Sequence, residues 1–142
     1  GPLHSAYRDR KLLEQYLETA ALKNDLSLQD ITLLLALREL EAPCTRRDLA
    51  DFTGLTRGSL SFSLQRLTSK ELILLENLKD IETEEKLLRV SFPTTSEAVF
   101  QDLDLALDDA RQTSLSGLSP EECAQYEALS ARVRRNIEAA LL

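Results

Sequence analysis

Thr45-Arg-Arg-Asp-Leu-Ala-Asp-Phe-Thr-Gly54-Leu-Thr-Arg-Gly-Ser-Leu-Ser-Phe-Ser-Leu-Gln-Arg-Leu67 reads as two short helices joined by a glycine turn. Ala50 is the small residue where the helices touch, Gly54 makes the turn, and Leu60 anchors the second helix. Thr45 and Asp48 form a capping-box-like start, a hydroxyl and a carboxylate placed to satisfy orphan backbone donors at a helix N-terminus. Leu49, Ala50 and Phe52 are expected to face inward. Gly54 tolerates the left-handed conformation that ends such a helix. Thr56 can cap the next one, whose Leu60, Leu64 and Leu67 recur at helical spacing. The opposite face carries Arg57, Ser59, Ser61, Ser63, Gln65 and Arg66. Short hydroxyl side chains let a helix backbone approach a surface closely, and Arg and Gln can span to base edges or phosphates. The unit therefore points to a reader of duplex DNA; the blander alternative is a surface helix with Ser and Arg on its wet face.

On the N-terminal side, a first helix is expected over residues 7–23, with Leu13, Tyr16, Leu17, Ala20 and Ala21 on one stripe. Ser27 and Asp30 form a second capping box, before a helix whose Ile31, Leu34, Leu35 and Leu37 are dense enough to make it the central core element. The Glu-Ala-Pro segment at 41–43 breaks the helical period, because proline and the residue before it disfavour continuation. On the C-terminal side the period changes after Lys70, and residues 72–78 can pair with 87–92 as a hairpin around a charged loop. A helix-turn-helix followed at once by a hairpin is the order of a winged helix, a stronger signal than either part alone. A long helix over 96–114 follows, carrying Val99, Leu103, Ala106 and Ala110, and Ser119 then caps a last helix that opens on Pro120. Tyr126, Leu129, Val133, Ile137 and Leu141 face one way along it. Amphipathic helices at both ends exceed what one small core requires and suggest a dimer interface, consistent with a palindromic DNA site.

Composition bounds the rest. The 142 residues are 43% hydrophobic with only 5% aromatics, enough for one leucine-rich, mainly helical core. No apolar run approaches the roughly 18 residues that would span a bilayer, and no signal-peptide pattern occurs, so a cytoplasmic protein without membrane contact is expected. Cys44 and Cys123 are far apart and lack metal-ligand spacing; both read as small buried hydrophobes, with redox sensing the lesser reading. Residues 1–5 resemble what protease removal of an expression tag leaves, which sets His4, the sole histidine, outside the functional argument. With no nucleophile–base pair, metal cluster or phosphate-binding glycine loop, no enzyme and no cofactor is expected. Asp102, Asp104, Asp108 and Asp109 read as a solvated helix face.

The order helix, helix, helix-turn-helix, wing, two long helices resembles the MarR family of bacterial transcriptional regulators. The clearest segments are 28–40, 45–73 and 90–100, above all Leu-Thr-Arg-Gly-Ser-Leu-Ser at 55–61, Leu-Gln-Arg-Leu at 64–67 and Glu-Leu-Ile at 71–73. The resemblance implies a mainly α fold with a small β-hairpin: a winged helix-turn-helix over 27–94 for DNA, with dimerisation helices over 6–26 and 95–142. It implies a homodimer placing recognition helices in successive major grooves of a pseudo-palindromic operator. Such proteins usually repress genes, and many release DNA when a small aromatic ligand or an oxidant acts on them. Carried across by position, Thr56, Gly58, Ser59, Ser61, Phe62, Gln65 and Arg66 fall on the recognition helix and Arg57 at its entrance. Arg46 and Arg47 can meet phosphates from the preceding helix start, or stand as solvated charges. Lys79 and Lys86 flank the wing tip. Leu13, Tyr16, Leu17, Tyr126, Leu129, Val133, Ile137 and Leu141 fall at the dimer interface. Phe62 departs from the polar or basic residue often found there; packing is favoured slightly over contact with a thymine methyl.

The wing departs further. Glu76, Asp80, Glu82, Glu84 and Glu85 outnumber Lys79 and Lys86, and acids near phosphates weaken binding. Between residues 44 and 71 the balance reverses, with Arg46, Arg47, Arg57, Arg66 and Lys70 against Asp48, Asp51 and Glu71, on a chain of formal charge −7. Two functions remain: a ligand- or signal-responsive repressor, or a winged-helix interaction module that has weak or lost DNA binding and uses its acidic wing or its helices to hold another protein.

Overall fold

The computed structural model describes residues 1–141, so Leu142, at the end of the expected dimerisation segment, lies outside the described residues. The elements run α1 (Pro2–Lys23), α2 (Leu28–Glu39), α3 (Arg46–Thr53), α4 (Arg57–Ser69), β1 (Leu74–Lys79), β2 (Lys86–Ser91), a 3-10 turn (Thr94–Ser96), α5 (Glu97–Ser114) and α6 (Pro120–Leu141). The expected order of helices around a two-stranded hairpin is present. Helix α1 begins earlier than expected, taking in the residues read as a tag remnant. The chain divides into two compact units, Gly1–Leu107 and the segment from Asp108 onward.

In the first unit the core forms around α2, where Ile31, Leu33, Leu34 and Leu37 are buried against Leu49, Leu60, Leu64, Leu67, Ile73 and Leu103. The capping box at its start is complete: Ser27 Oγ accepts from the Asp30 N–H at 3.1 Å, and Asp30 Oδ2 accepts from the Ser27 N–H at 3.1 Å. Ala20 and Ala21 bury the C-terminal end of α1, and Leu17 packs beside them. Asp102 and Asp104 of α5 are not simply solvated: Asp102 accepts from Lys23 at 3.2 Å and Asn24 at 3.1 Å, and Asp104 pairs with Arg38 at 2.8 Å. The hairpin register sets Leu74 opposite Ser91 and Lys79 opposite Lys86. Cys44 extends the hairpin by a backbone bridge to Leu88, and burial, followed by the charge of Asp48, pushes its thiol pKa up. A thiol held protonated is a poor redox nucleophile.

In the second unit the C-terminal part of α5 turns through Gly117, at φ +84°, into α6. Ser119 and Glu122 exchange a second capping box, at 2.9 and 3.1 Å, on the expected side of Pro120. No residue of α6 is buried, and Tyr126, Leu129, Val133 and Ile137 stand 56–60% exposed along one stripe.

Candidate nucleic-acid interface

Two threonine caps and one glycine set the helix-turn-helix. Thr45 Oγ1 accepts from the Asp48 N–H at 3.0 Å to start α3, Gly54 at φ +75° ends it, and Thr56 Oγ1 accepts from the Ser59 N–H at 3.1 Å to start α4. Leu60, Ser63, Leu64 and Leu67 then bury one side of α4. Gln29 of α2 fixes the roll of that helix by donating from Nε2 to the Ser59 carbonyl at 3.2 Å and to Ser63 Oγ at 2.8 Å. With that side committed, Arg57, Gly58, Ser61, Phe62 and Gln65 stand exposed on the other.

Next to this face lies an open cleft of about 580 Å³, lined by Arg46 and Arg47 from α3, Arg57 and Ser61 from α4, and Lys86 from the wing. Asp48 and Glu85 are the two acids in its walls, so four cations face two carboxylates. Among the described residues, Arg46, Arg47, Arg57, Lys79 and Lys86 form no salt bridge. Their charges are therefore available to an external anion, and the α3 N-terminus adds its backbone donors.

Arg66 is placed differently from its neighbours. Its Nε donates to Asp30 Oδ2 at 3.0 Å and its Nη2 to the Asp25 carbonyl at 3.2 Å, which turns the guanidinium back toward α2. Asp30 is only 1% exposed. Burial by itself would raise the Asp30 pKa. The Ser27 N–H, the Arg66 guanidinium and the hydroxyls of Ser63 and Ser27 outweigh it and hold the carboxyl below its usual range. Lys70 similarly pairs with Asp25 at 3.0 Å. Both basic residues at the end of α4 are tied to the protein itself.

Of the other expected reading residues, Thr56 spends its hydroxyl on the cap and Ser59 is half-buried. The two phenylalanines correct the sequence reading. Phe52, expected inward, is 58% exposed, because Leu49, Ala50 and Thr53 make the inward stripe and at about 100° per residue Phe52 stands more than a quarter turn from its centre. Phe62, expected to pack, is 62% exposed on the open face of α4, since Leu60, Ser63, Leu64 and Leu67 already fill the contact with the core.

Lys79 and Lys86 sit directly opposite each other at the base of the wing loop. Beyond them the loop turns on Asp80, whose Oδ1 accepts from the N–H groups of Glu82 at 2.8 Å and Thr83 at 3.0 Å. Those bonds, Thr83 first, lower the Asp80 pKa. Ile81 is 97% exposed at the tip. The base of the wing is thus basic and its tip acidic, a division that a net count over the loop conceals.

The residues missed by sequence reading are Gln29, Asp25 and Asp30 as the groups that orient α4, and Glu85 as an acid in the cleft wall. The Ser27-x-x-Asp30 spacing signals only the local cap; nothing local signals that the same carboxylate also holds an arginine 36 residues away. Among the described residues, no helix is long and apolar enough to cross a membrane, and no group of three or more His, Cys, Asp or Glu could hold a metal ion.

No protein-family model matches the sequence, and no curated protein matches it. Solved structures do match. A MarR family transcriptional regulator from Silicibacter pomeroyi superposes with a TM-score of 0.78 at 18% identity, over 96% of this chain and 89% of that one. Apo MarR from E. coli gives 0.66 at 22% identity, over 92% and 94%. BpsR of Bordetella bronchiseptica, whose DNA binding is regulated by 6-hydroxynicotinic acid, gives 0.67 at 18% identity, over 92% and 96%. The chain has the winged-helix fold of these MarR family structures over 92–96% of its length.

Proposed function

We propose that this chain is a cytoplasmic, MarR-like transcriptional repressor that binds a pseudo-palindromic DNA operator as a homodimer and is released by a small aromatic ligand. The observation that carries the DNA reading is the basic cleft: Arg46, Arg47, Arg57 and Lys86 converge, without internal ion pairs, beside the open face of α4 on a chain of net charge −7. Phosphate contacts from such a cleft fix the register of a recognition helix, and exposed side chains on that helix supply the base contacts. The uncovered stripe of α6 supports the homodimer, and so, separately, does the exposed Leu13 of α1. A two-fold arrangement covers an identical stripe on each copy and places two reading helices on one duplex. The likeness to BpsR supports the ligand; the pocket it would occupy is left to the dimer.

A salt-dependent mobility shift on DNA upstream of the chain's own gene tests this reading. A specific complex is expected at about 50 mM salt, weakening steeply toward 200 mM as counterions return to the phosphates. Arg57→Ala, at an exposed position, is expected to reduce affinity about tenfold without changing the melting temperature. No specific complex even at low salt would sink the DNA reading.

The acidic wing tip favours a second reading, a winged-helix module that grips a protein through the wing and binds DNA weakly or not at all. Charge reversal at the tip separates the two. For a DNA binder, Glu82→Lys with Glu84→Lys removes repulsion, strengthens binding at low salt by about tenfold, and steepens the slope of log affinity against log salt by roughly one to two. For the module, DNA binding stays negligible in both proteins.

A further inference from the structure

We infer that the open face of α4 reads an A·T-rich step, with Phe62 against the 5-methyl group of a thymine and Gln65 on the adenine of a neighbouring base pair. The inference rests on the DNA-binding reading above and deepens it. The Phe62 ring is 62% exposed on the wet side of α4, apolar surface that contact with a partner would remove from water. It lies in an exposed line, Gly58, Ser61, Phe62, Gln65, at helical spacing of three and four.

The chemistry along that line is selective. Guanine is read chiefly by a bidentate Arg or Lys, yet Arg66 is bound to Asp30 and Lys70 to Asp25, while Arg57 lines the basic cleft. Cytosine is read by a carboxylate, and α4 contains no Asp or Glu. Beside the unselective Ser61 hydroxyl, what remains is an amide, which pairs bidentately with adenine, and an apolar ring, which suits the thymine methyl. Three residues along a helix advance about 4.5 Å, and base pairs rise about 3.4 Å, so Phe62 and Gln65 reach neighbouring pairs rather than the same one.

Gly58 supports the close approach this needs. Its φ does not require glycine, and a Cβ there would meet nothing within 4 Å. Within the chain it is only a weak point in the first turn of α4. Against a duplex it leaves bare backbone one turn before Phe62, so that the helix can sit deep in the major groove.

The test begins by selecting duplexes from a random-sequence pool with the full chain, then resynthesising the enriched duplex with deoxyuridine replacing thymidine one position at a time. That exchange removes only the methyl group. One position in each half-site is expected to lose about fivefold in affinity. Phe62→Ala should lose a similar factor on the thymidine duplex, bind the deoxyuridine duplex equally well, and keep the wild-type melting temperature, because the ring is exposed. Gln65→Ala should keep the sensitivity to the methyl while relaxing the preference for adenine next to it. Gly58→Ala should raise the melting temperature and weaken binding. If every deoxyuridine is tolerated, or if Phe62→Ala feels the exchange as the wild type does, the methyl-reading inference is overturned while the DNA-binding reading stands. If no duplex is enriched, the DNA-binding reading fails and takes the inference with it.

Discussion

Changing Leu129, Val133 and Ile137 together to Asp is expected to give a folded monomer with little affinity for its operator. These three side chains are more than half exposed in the single chain, and α6 has no buried residue, so the substitution removes no core contact within the protomer. In a two-fold dimer the stripe is present twice, and burying each Val, Leu or Ile is worth roughly 1.5–3 kcal/mol. Six such side chains, each already about 40% covered in the single chain, amount to about 5–10 kcal/mol, before the cost of burying the introduced carboxylates. Light scattering should report half the wild-type mass, while circular dichroism retains the helical signal. Losing the second recognition helix should lower operator affinity by about 100-fold or more. Truncation after Glu122 removes the same stripe and is expected to abolish dimerisation as well. A triple variant that remains a dimer would refute the placement of the interface on α6.

Arg66→Ala is expected to act on stability before it acts on DNA. Removing one partner of a buried ion pair leaves a buried charge without compensation, typically a loss of 3–5 kcal/mol. The Arg66 side chain is 37% exposed, and solvent already shares in its charge, so about 2–3 kcal/mol is the expected effect here. For a domain of this size that is roughly 10 °C in melting temperature. The pH dependence carries the signature. In the wild type the Asp30 pKa lies below its unfolded value, so its contribution is complete above about pH 4 and is lost as pH falls through the folded value. Without the guanidinium one of the contacts that oppose burial is lost, so the Asp30 pKa rises relative to the wild type and the gap between the two proteins narrows in acid. Melting curves at pH 7 and pH 4 measure this directly. An Arg66→Ala protein that melts like the wild type, yet has lost DNA binding, would return Arg66 to the reading face.

The helix boundaries around the reading unit were legible because they depend on local chemistry. Thr45, Gly54, Thr56, Ser27 and Ser119 each act within a few residues of their own position, and each is where its spacing predicts. The leucine periods of α2 and α4 likewise name most of the core, because burial follows the helical repeat. The two phenylalanines were not legible in the same way. Phe52 and Phe62 are as apolar as any core residue, but whether an apolar side chain is covered depends on the rotation of its helix against the core, which the leucines set for α3 and the leucines with Gln29 set for α4.

The sequence by itself determined the order of elements, their caps, the leucine core and the position of a helix-turn-helix before a hairpin, since all of these come from short-range periodicity and backbone chemistry. Only the tertiary structure decided which charges are free. It joined Arg66 to Asp30 and Lys70 to Asp25 across 36 and 45 residues, and it gathered Arg46, Arg47, Arg57 and Lys86 from three elements into one cleft. The physical reason is that ion pairing depends on distance in space at a few ångströms, to which separation along the chain is blind. Four arginines that look equivalent in sequence thereby divide into three whose charges are open to an external anion and one that holds α4 in place.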